Sequence, residues 1–157
     1  IRGGGVLLEL SHEIDYIQWL LGSMKVDYAQ LRNSSELKLE VEELADFVLV
    51  SEKGTVCNIH LDFLQKKAHR TCTFIGEKGN LEWDLIKNKI QLLTEEANVC
   101  LFADEDWDSN QMYINLLKDF LKLAKGTKNS TINLEQAIKT IELINKVSEC
   151  AVQGVTQ

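Results

Sequence analysis

The sequence predicts an α+β fold, a mainly antiparallel open sheet with helices on one face. Three observations predict it. An apolar-periodic run near the N-terminus reads as a helix over residues 6–21. From 26 to 103 the pattern turns to β-branched and aromatic segments with patches of alternation, and the helical period then returns over 109–125 and 133–153. The 157 residues suffice for one well-buried core, so 1–157 is read as a single domain.

Each element has its own signal. Leu7, Leu10, Ile14, Ile17 and Leu21 repeat at three and four, and Gly22 stands where a helix stops. The segments VDYAQLRNS, LKLEVEELADFVLVSE, TVCNIHLDFLQ, HRTCTFIGE, NLEWDLI and KIQLLTEE follow. Turn residues at Lys53-Gly54, Lys78-Gly79-Asn80 and Lys87-Asn88 separate several of them, giving a meander of five to seven strands. Asp108 or Ser109 can cap the next helix, in which Tyr113, Leu116, Leu117, Phe120, Leu121 and Ala124 share a face before Gly126 ends it. After the polar loop TKNST, Asn133 and Gln136 form a capping box. The last helix carries Leu134, Ala137, Ile138, Ile141, Ile144 and Val147 on one face and stops at Gly154. In the strands, Cys57, Ile59, Leu61 and Phe63 alternate with the mixed set Val56, Asn58, His60 and Asp62. A partly apolar open sheet face of that kind predicts a partner surface, read as homo-oligomerisation or contact with another domain.

Composition narrows the function. With 45% hydrophobic and 26% charged residues the chain is an ordinary folded protein. A net charge of −7 without a basic stripe argues against nucleic-acid binding. No apolar run approaches the length of a membrane span, and IRGGG is no secretory h-region. Cys57, Cys72, Cys100 and Cys150 are far apart, which fits reduced thiols in a cytoplasmic protein better than a disulfide framework or a zinc site. There is no Pro, where average usage predicts about eight. The absence of an initial Met, with the most informative motif starting at residue 3, reads as a piece of a longer protein.

That motif is GGGVLLELSHEIDYIQWLLG, Gly3 to Gly22. On one continuous helix Glu9, His12, Asp15, Tyr16 and Trp19 would line a single strip. A His between two carboxylates at spacings of three suits a site. The structural alternative is a hydrogen-bonded His with solvated or Lys-paired acids. The glycines allow positive φ or close approach to a ligand, and a helix start behind them offers N–H groups to an anion. The spacing is not G-x-G-x-x-G and no strand precedes it, so it is no dinucleotide fingerprint. Glu-x-x-His also occurs in di-iron bundles, but that motif needs a second copy, and neither His60 nor His69 has a Glu three residues before it. No metal is expected.

The Gly-rich turn, the helix carrying HEID and ending in W-L-L-G, the strand run, MYINLLKDFLKLAKG and NLEQAIKTIELINKVSECAVQG together resemble the C-terminal domain of the Gfo/Idh/MocA oxidoreductases, over nearly the whole chain. The resemblance implies a full-length enzyme whose N-terminal Rossmann domain binds NAD or NADP and supplies a Lys from a Glu-Lys-Pro motif. It further implies that the sheet domain contributes substrate contacts and the homo-oligomer interface. The chemistry it implies is hydride transfer on a sugar, sugar derivative or cyclitol. This chain has neither the Glu-Lys-Pro motif nor a dinucleotide loop, so alone it is expected to bind no cofactor and to be inactive. His12 matches the family's helix His, a general acid–base or hydroxyl ligand, as a group titrating near neutrality can be. Asp15 matches the following acid, which orients that His or supports the helix. Members with a well-defined catalytic Asp often place it four residues before the His, where this chain has Leu8; Glu9 either substitutes or tunes the imidazole. Gly4, Gly5, Tyr16 and Tyr113 are the candidate substrate contacts. The alternative function is a non-catalytic binding or assembly module.

Overall fold

The computed structural model describes residues 4–127 and 133–154, so Gly3 and residues 128–131 of the polar loop lie outside the described residues. In chain order the elements are α1 (Gly5–Glu9), α2 (Ser11–Leu21), β1 (Met24–Arg32), β2 (Leu44–Ser51), β3 (Val56–Asp62), β4 (Thr71–Gly76), β5 (Gly79–Asp84), β6 (Lys89–Leu93), β7 (Asn98–Ala103), α3 (Ser109–Ala124) and α4 (Leu134–Gly154). The fold is α+β with antiparallel strands throughout, but they form two sheets, β1-β2-β3 and β4-β5-β6-β7, where the sequence reads one. The chain correspondingly divides into two compact units. The first holds the residues up to Leu64 together with α4, and the second holds β4–β7 and α3.

In the first unit, alternation along β2 is complete. Ala45, Phe47, Leu49 and Ser51 are buried, while Leu44, Asp46, Val48 and Val50 are half-exposed on the other face. Ala29 and Leu61 join the buried side from β1 and β3, opposite Phe47 and Ala45 respectively. Val6, Leu7, Ile14 and Ile17 from the N-terminal helices, and Leu143, Ile144 and Val147 from α4, complete one core cluster.

The helix expected over 6–21 is two. Leu10 keeps its N–H on the Val6 carbonyl at 3.0 Å, yet takes φ −104° and ψ 25°, well off helical ψ. The ladder restarts with Glu13 N–H on the Leu10 carbonyl at 3.0 Å. With the helix broken there, Val6 and Leu7 on α1 and Ile14 and Ile17 on α2 are all buried. Gly22 ends α2 as expected, with φ 82° and its N–H on the Gln18 carbonyl.

The predicted apolar face of α4 holds only in part. Leu134, Ile138 and Ile141 are exposed, and burial instead follows Thr140, Leu143, Ile144, Val147 and Ala151. The capping box forms as predicted: Asn133 N–H donates to Gln136 Oε1 at 3.0 Å, and Gln136 N–H to Asn133 Oδ1 at 2.9 Å.

Two adjacent glutamates do structural work that periodicity does not reveal. Glu43 is fully buried, and its carboxylate accepts the Ser34 and Leu37 N–H groups, each at 3.0 Å, and the Ser34 hydroxyl. The Ser34 hydroxyl, helped by the backbone N–H groups, holds the Glu43 carboxyl below its ordinary value against the opposing effect of burial. Those bonds fold the long β1–β2 connection back onto the sheet. Glu42 closes the N-terminus of α1: its carbonyl accepts Val6 N–H at 3.1 Å and its Oε1 accepts Leu7 N–H at 3.3 Å.

The second unit is a four-stranded meander. Gly79 sits in its first turn with φ 137°, and a Cβ there would lie 2.4 Å from the Leu93 carbonyl oxygen, so only Gly fits. Cross-strand pairing puts Phe74 opposite Leu81, Leu81 opposite Leu92, Trp83 opposite Ile90 and Ile90 opposite Phe102, all on one face. Among the described residues this unit contributes none to the buried core. Asp108 caps α3 by accepting Asn110 N–H at 2.9 Å, as predicted. The predicted apolar stripe of α3 is exposed: Tyr113, Leu116, Leu117, Phe120 and Leu121 are all at the surface.

Candidate functional site

The break at Leu10 decides the geometry of the predicted strip. Glu9 becomes the last residue of α1 and His12 falls in the first turn of α2, so the three-residue spacing no longer puts them on one helical face. His12 is half-exposed, and its Nε2 lies 3.1 Å from Oε1 of Glu13, a carboxylate that is itself 12% exposed. Glu9 is exposed at the surface. Asp15 is half-buried, and its Oδ1 accepts the Thr140 hydroxyl of α4 at 2.8 Å. Among the described residues, no hydrogen bond joins His12 to Glu9 or Asp15. The carboxylate beside the imidazole is Glu13, the residue that sequence spacing passed over.

Asp15 therefore ties α2 to α4. It also lines a cleft of about 180 Å³ between those helices, with Gln18, Trp19, Gln136, Lys139 and Thr140. Trp19 is 69% exposed at this cleft, and the amide nitrogen of Gln18 is buried without a hydrogen-bond partner among the described residues. His12 is not among its lining residues.

The two glycine candidates have local structural reasons. Gly5 takes φ 79°, and a Cβ there would fall 2.1 Å from Glu42 Oε1. The close approach that a Gly turn permits is thus made to the chain's own carboxylate, which also occupies the Leu7 N–H of α1. A Cβ on Gly4 would lie 2.6 Å from the Leu8 side chain. Tyr16 is half-buried against the core, and Tyr113 lies in the second unit on the exposed face of α3.

A polar cluster that the sequence reading did not single out stands on the face of β1–β3 opposite the core. Asp46 and His60 are register partners, with His60 Nδ1 2.6 Å from Asp46 Oδ1 and His60 Nε2 3.1 Å from Asp62 Oδ2. Arg32 donates to Asp46 Oδ2, and Asp62 Oδ1 accepts Leu64 N–H at 2.7 Å. The hydrogen bond from His60, then Arg32, holds the Asp46 carboxyl below its ordinary value; Asp46, then Asp62, raises His60. The His60-x-Asp62 spacing was legible as one strand face, whereas Asp46 and Arg32 needed the strand register.

Among the described residues, no group of His, Cys, Asp and Glu is arranged to hold a metal ion, and no helix is long and apolar enough to cross a membrane.

No curated protein matches the chain. Solved structures do. UDP-N-acetylglucosamine 3-dehydrogenase GnnA from Acidithiobacillus ferrooxidans is 15% identical with a TM-score of 0.78, over 94% of this chain and 46% of its own. The WlbA dehydrogenase from Bordetella pertussis, in complex with NADH and UDP-GlcNAcA, is 18% identical with a TM-score of 0.73, over 96% and 44%. Biliverdin reductase from Synechocystis sp. PCC 6803, in complex with biliverdin and NADP+, is 15% identical with a TM-score of 0.77, over 93% and 46%. The chain spans less than half the length of each. At these identities the likeness is one of fold, and the bound partners, a nucleotide sugar in one and a bilin in another, show that this fold does not set the substrate. The family profile described as the GFO/IDH/MocA C-terminal domain matches residues 1–82 of the 157, and the chain belongs to that family.

Proposed function

We propose that this chain is the substrate-binding and oligomerisation domain of an NAD(P)-dependent oxidoreductase that transfers hydride to or from a carbon of a sugar, sugar derivative or cyclitol. The observation that carries the proposal is the HEID segment itself: a half-exposed His12 in the first turn of α2, paired with Glu13, in a chain of this oxidoreductase family. An imidazole so placed can take or give the hydroxyl proton while hydride moves to or from the nicotinamide. The nicotinamide cofactor is held by the Rossmann half of the whole protein, since none of the candidate residues here forms a dinucleotide loop. Asp15, fixed by Thr140, supports α2, and Glu9 and Tyr16 lie close in sequence to the reacting end. Two structural relatives are a UDP-sugar dehydrogenase and a dehydrogenase in complex with NADH and UDP-GlcNAcA; the fold leaves the substrate open, and the sugar class is the reading put to the test below. The protein acts in the cytoplasm, in keeping with its dispersed cysteines.

The test is turnover by the whole protein carrying this domain, followed by reduced-nicotinamide absorbance with UDP-sugars, free aldoses and inositols. We expect activity in one of these groups. Cofactor binding without turnover on any of them would overturn the sugar assignment, and absence of cofactor binding would overturn the oxidoreductase itself. It would leave the assembly-module reading.

Oligomerisation is assigned to an open sheet face, and the apolar face bearing Phe74, Leu81, Trp83, Ile90 and Leu92 supports that assignment. Stable interfaces bury on the order of 1,200–2,000 Å² in total. Light scattering across a dilution series should give a multiple of the 17.8 kDa chain mass; a strict monomer at high micromolar concentration would sink it.

A further inference from the structure

We propose that the open face of the three-stranded sheet carries a proton-operated clasp, in which the imidazolium of His60 bridges Asp46 and Asp62 while Arg32 holds Asp46 from the neighbouring strand. Donor counting carries the inference. Both ring nitrogens of His60 face carboxylate oxygens, at 2.6 Å and 3.1 Å. An ionised carboxylate only accepts, and a neutral imidazole has one donor and one acceptor nitrogen. In the neutral ring one of the two contacts therefore becomes acceptor against acceptor. Only the protonated ring donates to both.

Charge balance points the same way. Asp46 and Asp62 carry two negative charges and Arg32 one positive, so protonated His60 makes the cluster neutral. Loss of that proton leaves a net negative charge on the face. The remaining carboxylate oxygens are engaged, Asp46 Oδ2 by Arg32 and Asp62 Oδ1 by the Leu64 N–H. The bridge thus spans β1, β2 and β3 and reaches the end of β3, two residues before the chain leaves this unit. The titratable groups facing His60 are Asp46 from β2 and Asp62 from β3 itself, with Arg32 of β1 beyond Asp46. From α1, which also contacts β3, the titratable residue is Glu9, which is exposed; among the described residues no hydrogen bond or ion pair joins it to His60.

The sign follows from the two directions. His60 is raised, so its contribution to stability is complete below its unfolded value of about 6.5 and is lost as pH rises through the folded value. Asp46 is lowered, so its contribution is present above its unfolded value of about 3.9 and is lost as pH falls through the folded one. The clasp is closed between those two titrations and opens above the one and below the other. Both groups are partly exposed, so salt weakens the effect.

The experiment is a pH titration of the imidazole resonances by NMR on this chain, in wild type, Asp46→Asn and Asp62→Asn. His60 should titrate above about 6.5 in wild type and lower in each Asn variant, with two variants guarding against one that fails to fold. Urea midpoints of wild type and His60→Gln should be compared at about pH 5.5 and 8.5. The wild-type advantage should shrink on the alkaline side. A His60 that titrates at or below the ordinary value in wild type, or a midpoint difference independent of pH, overturns the clasp.

Discussion

Phe47→Ala is expected to destabilise the chain by about 3–5 kcal/mol, lowering the urea midpoint of the first unit with little change in slope. Phe47 is 2% exposed and sits in the middle of β2, the central strand of its sheet, with Ala29 and Ile59 as register partners. The helices α1, α2 and α4 contribute Leu7, Ile14, Ile144 and Val147 to the same cluster. Removing the ring leaves a void that a sheet pinned on both sides and covered by helices cannot collapse into. Ile75→Ala makes the contrast, since Ile75 is 84% exposed on β4 and its loss should move stability by no more than about 0.5 kcal/mol. A Phe47→Ala effect no larger than that of Ile75→Ala would mean that the core of the first unit is not packed around β2.

Period-based reading succeeded where a segment's partners are local. The Asp108 cap, the Asn133–Gln136 box and the Gly22 stop are each set by residues within a few positions, and each is seen. The alternation of β2 was not legible, because Leu44, Val48 and Val50 on its half-exposed face are as apolar as Ala45, Phe47 and Leu49 on its buried one. What failed was long-range. The break at Leu10 accompanies the packing of Val6 and Leu7 into a core that also takes residues as distant as Phe47, Leu61 and Val147. The buried face of α4 is rotated from the most apolar stripe and carries Thr140, which meets Asp15 across 125 positions. The split of the strands into two sheets leaves no mark in the alternation of any one strand, since neighbour identity is not written in a strand's own pattern.

The candidate site was legible in the same uneven way. The proposal that it lies at HEID rests on residue types and their order, which need no fold to be read. Its internal pairing came from assuming an unbroken helix, and that assumption linked His12 to Glu9 and Asp15 instead of Glu13. The Arg32–Asp46–His60–Asp62 cluster was hidden for the opposite reason. Its members are unremarkable singly and acquire meaning only when the β1–β2 and β2–β3 registers bring them together.

His12→Ala in the whole enzyme is the second large effect, a fall in kcat of about 10²- to 10⁴-fold, the range of general acid–base catalysis, with nicotinamide affinity unchanged. The separation of roles in the structure makes this a sharp test. His12 is half-exposed and contacts Glu13, so its loss removes a proton carrier without opening the core, and thermal stability should hold. Asp15 is the reverse case: fixed to Thr140, it should cost stability when changed to Asn and cost turnover mainly through α2. Glu9, exposed at the end of α1 and joined to His12 by no hydrogen bond among the described residues, should cost less turnover as Glu9→Gln than His12→Ala does. Because the acid next to the imidazole is Glu13, Glu13→Gln should cost more turnover than Glu9→Gln does. Near-wild-type turnover in His12→Ala removes His12 from the mechanism, and a Glu9→Gln loss of equal size would make Glu9, in spite of its place on the other helix, a principal proton carrier.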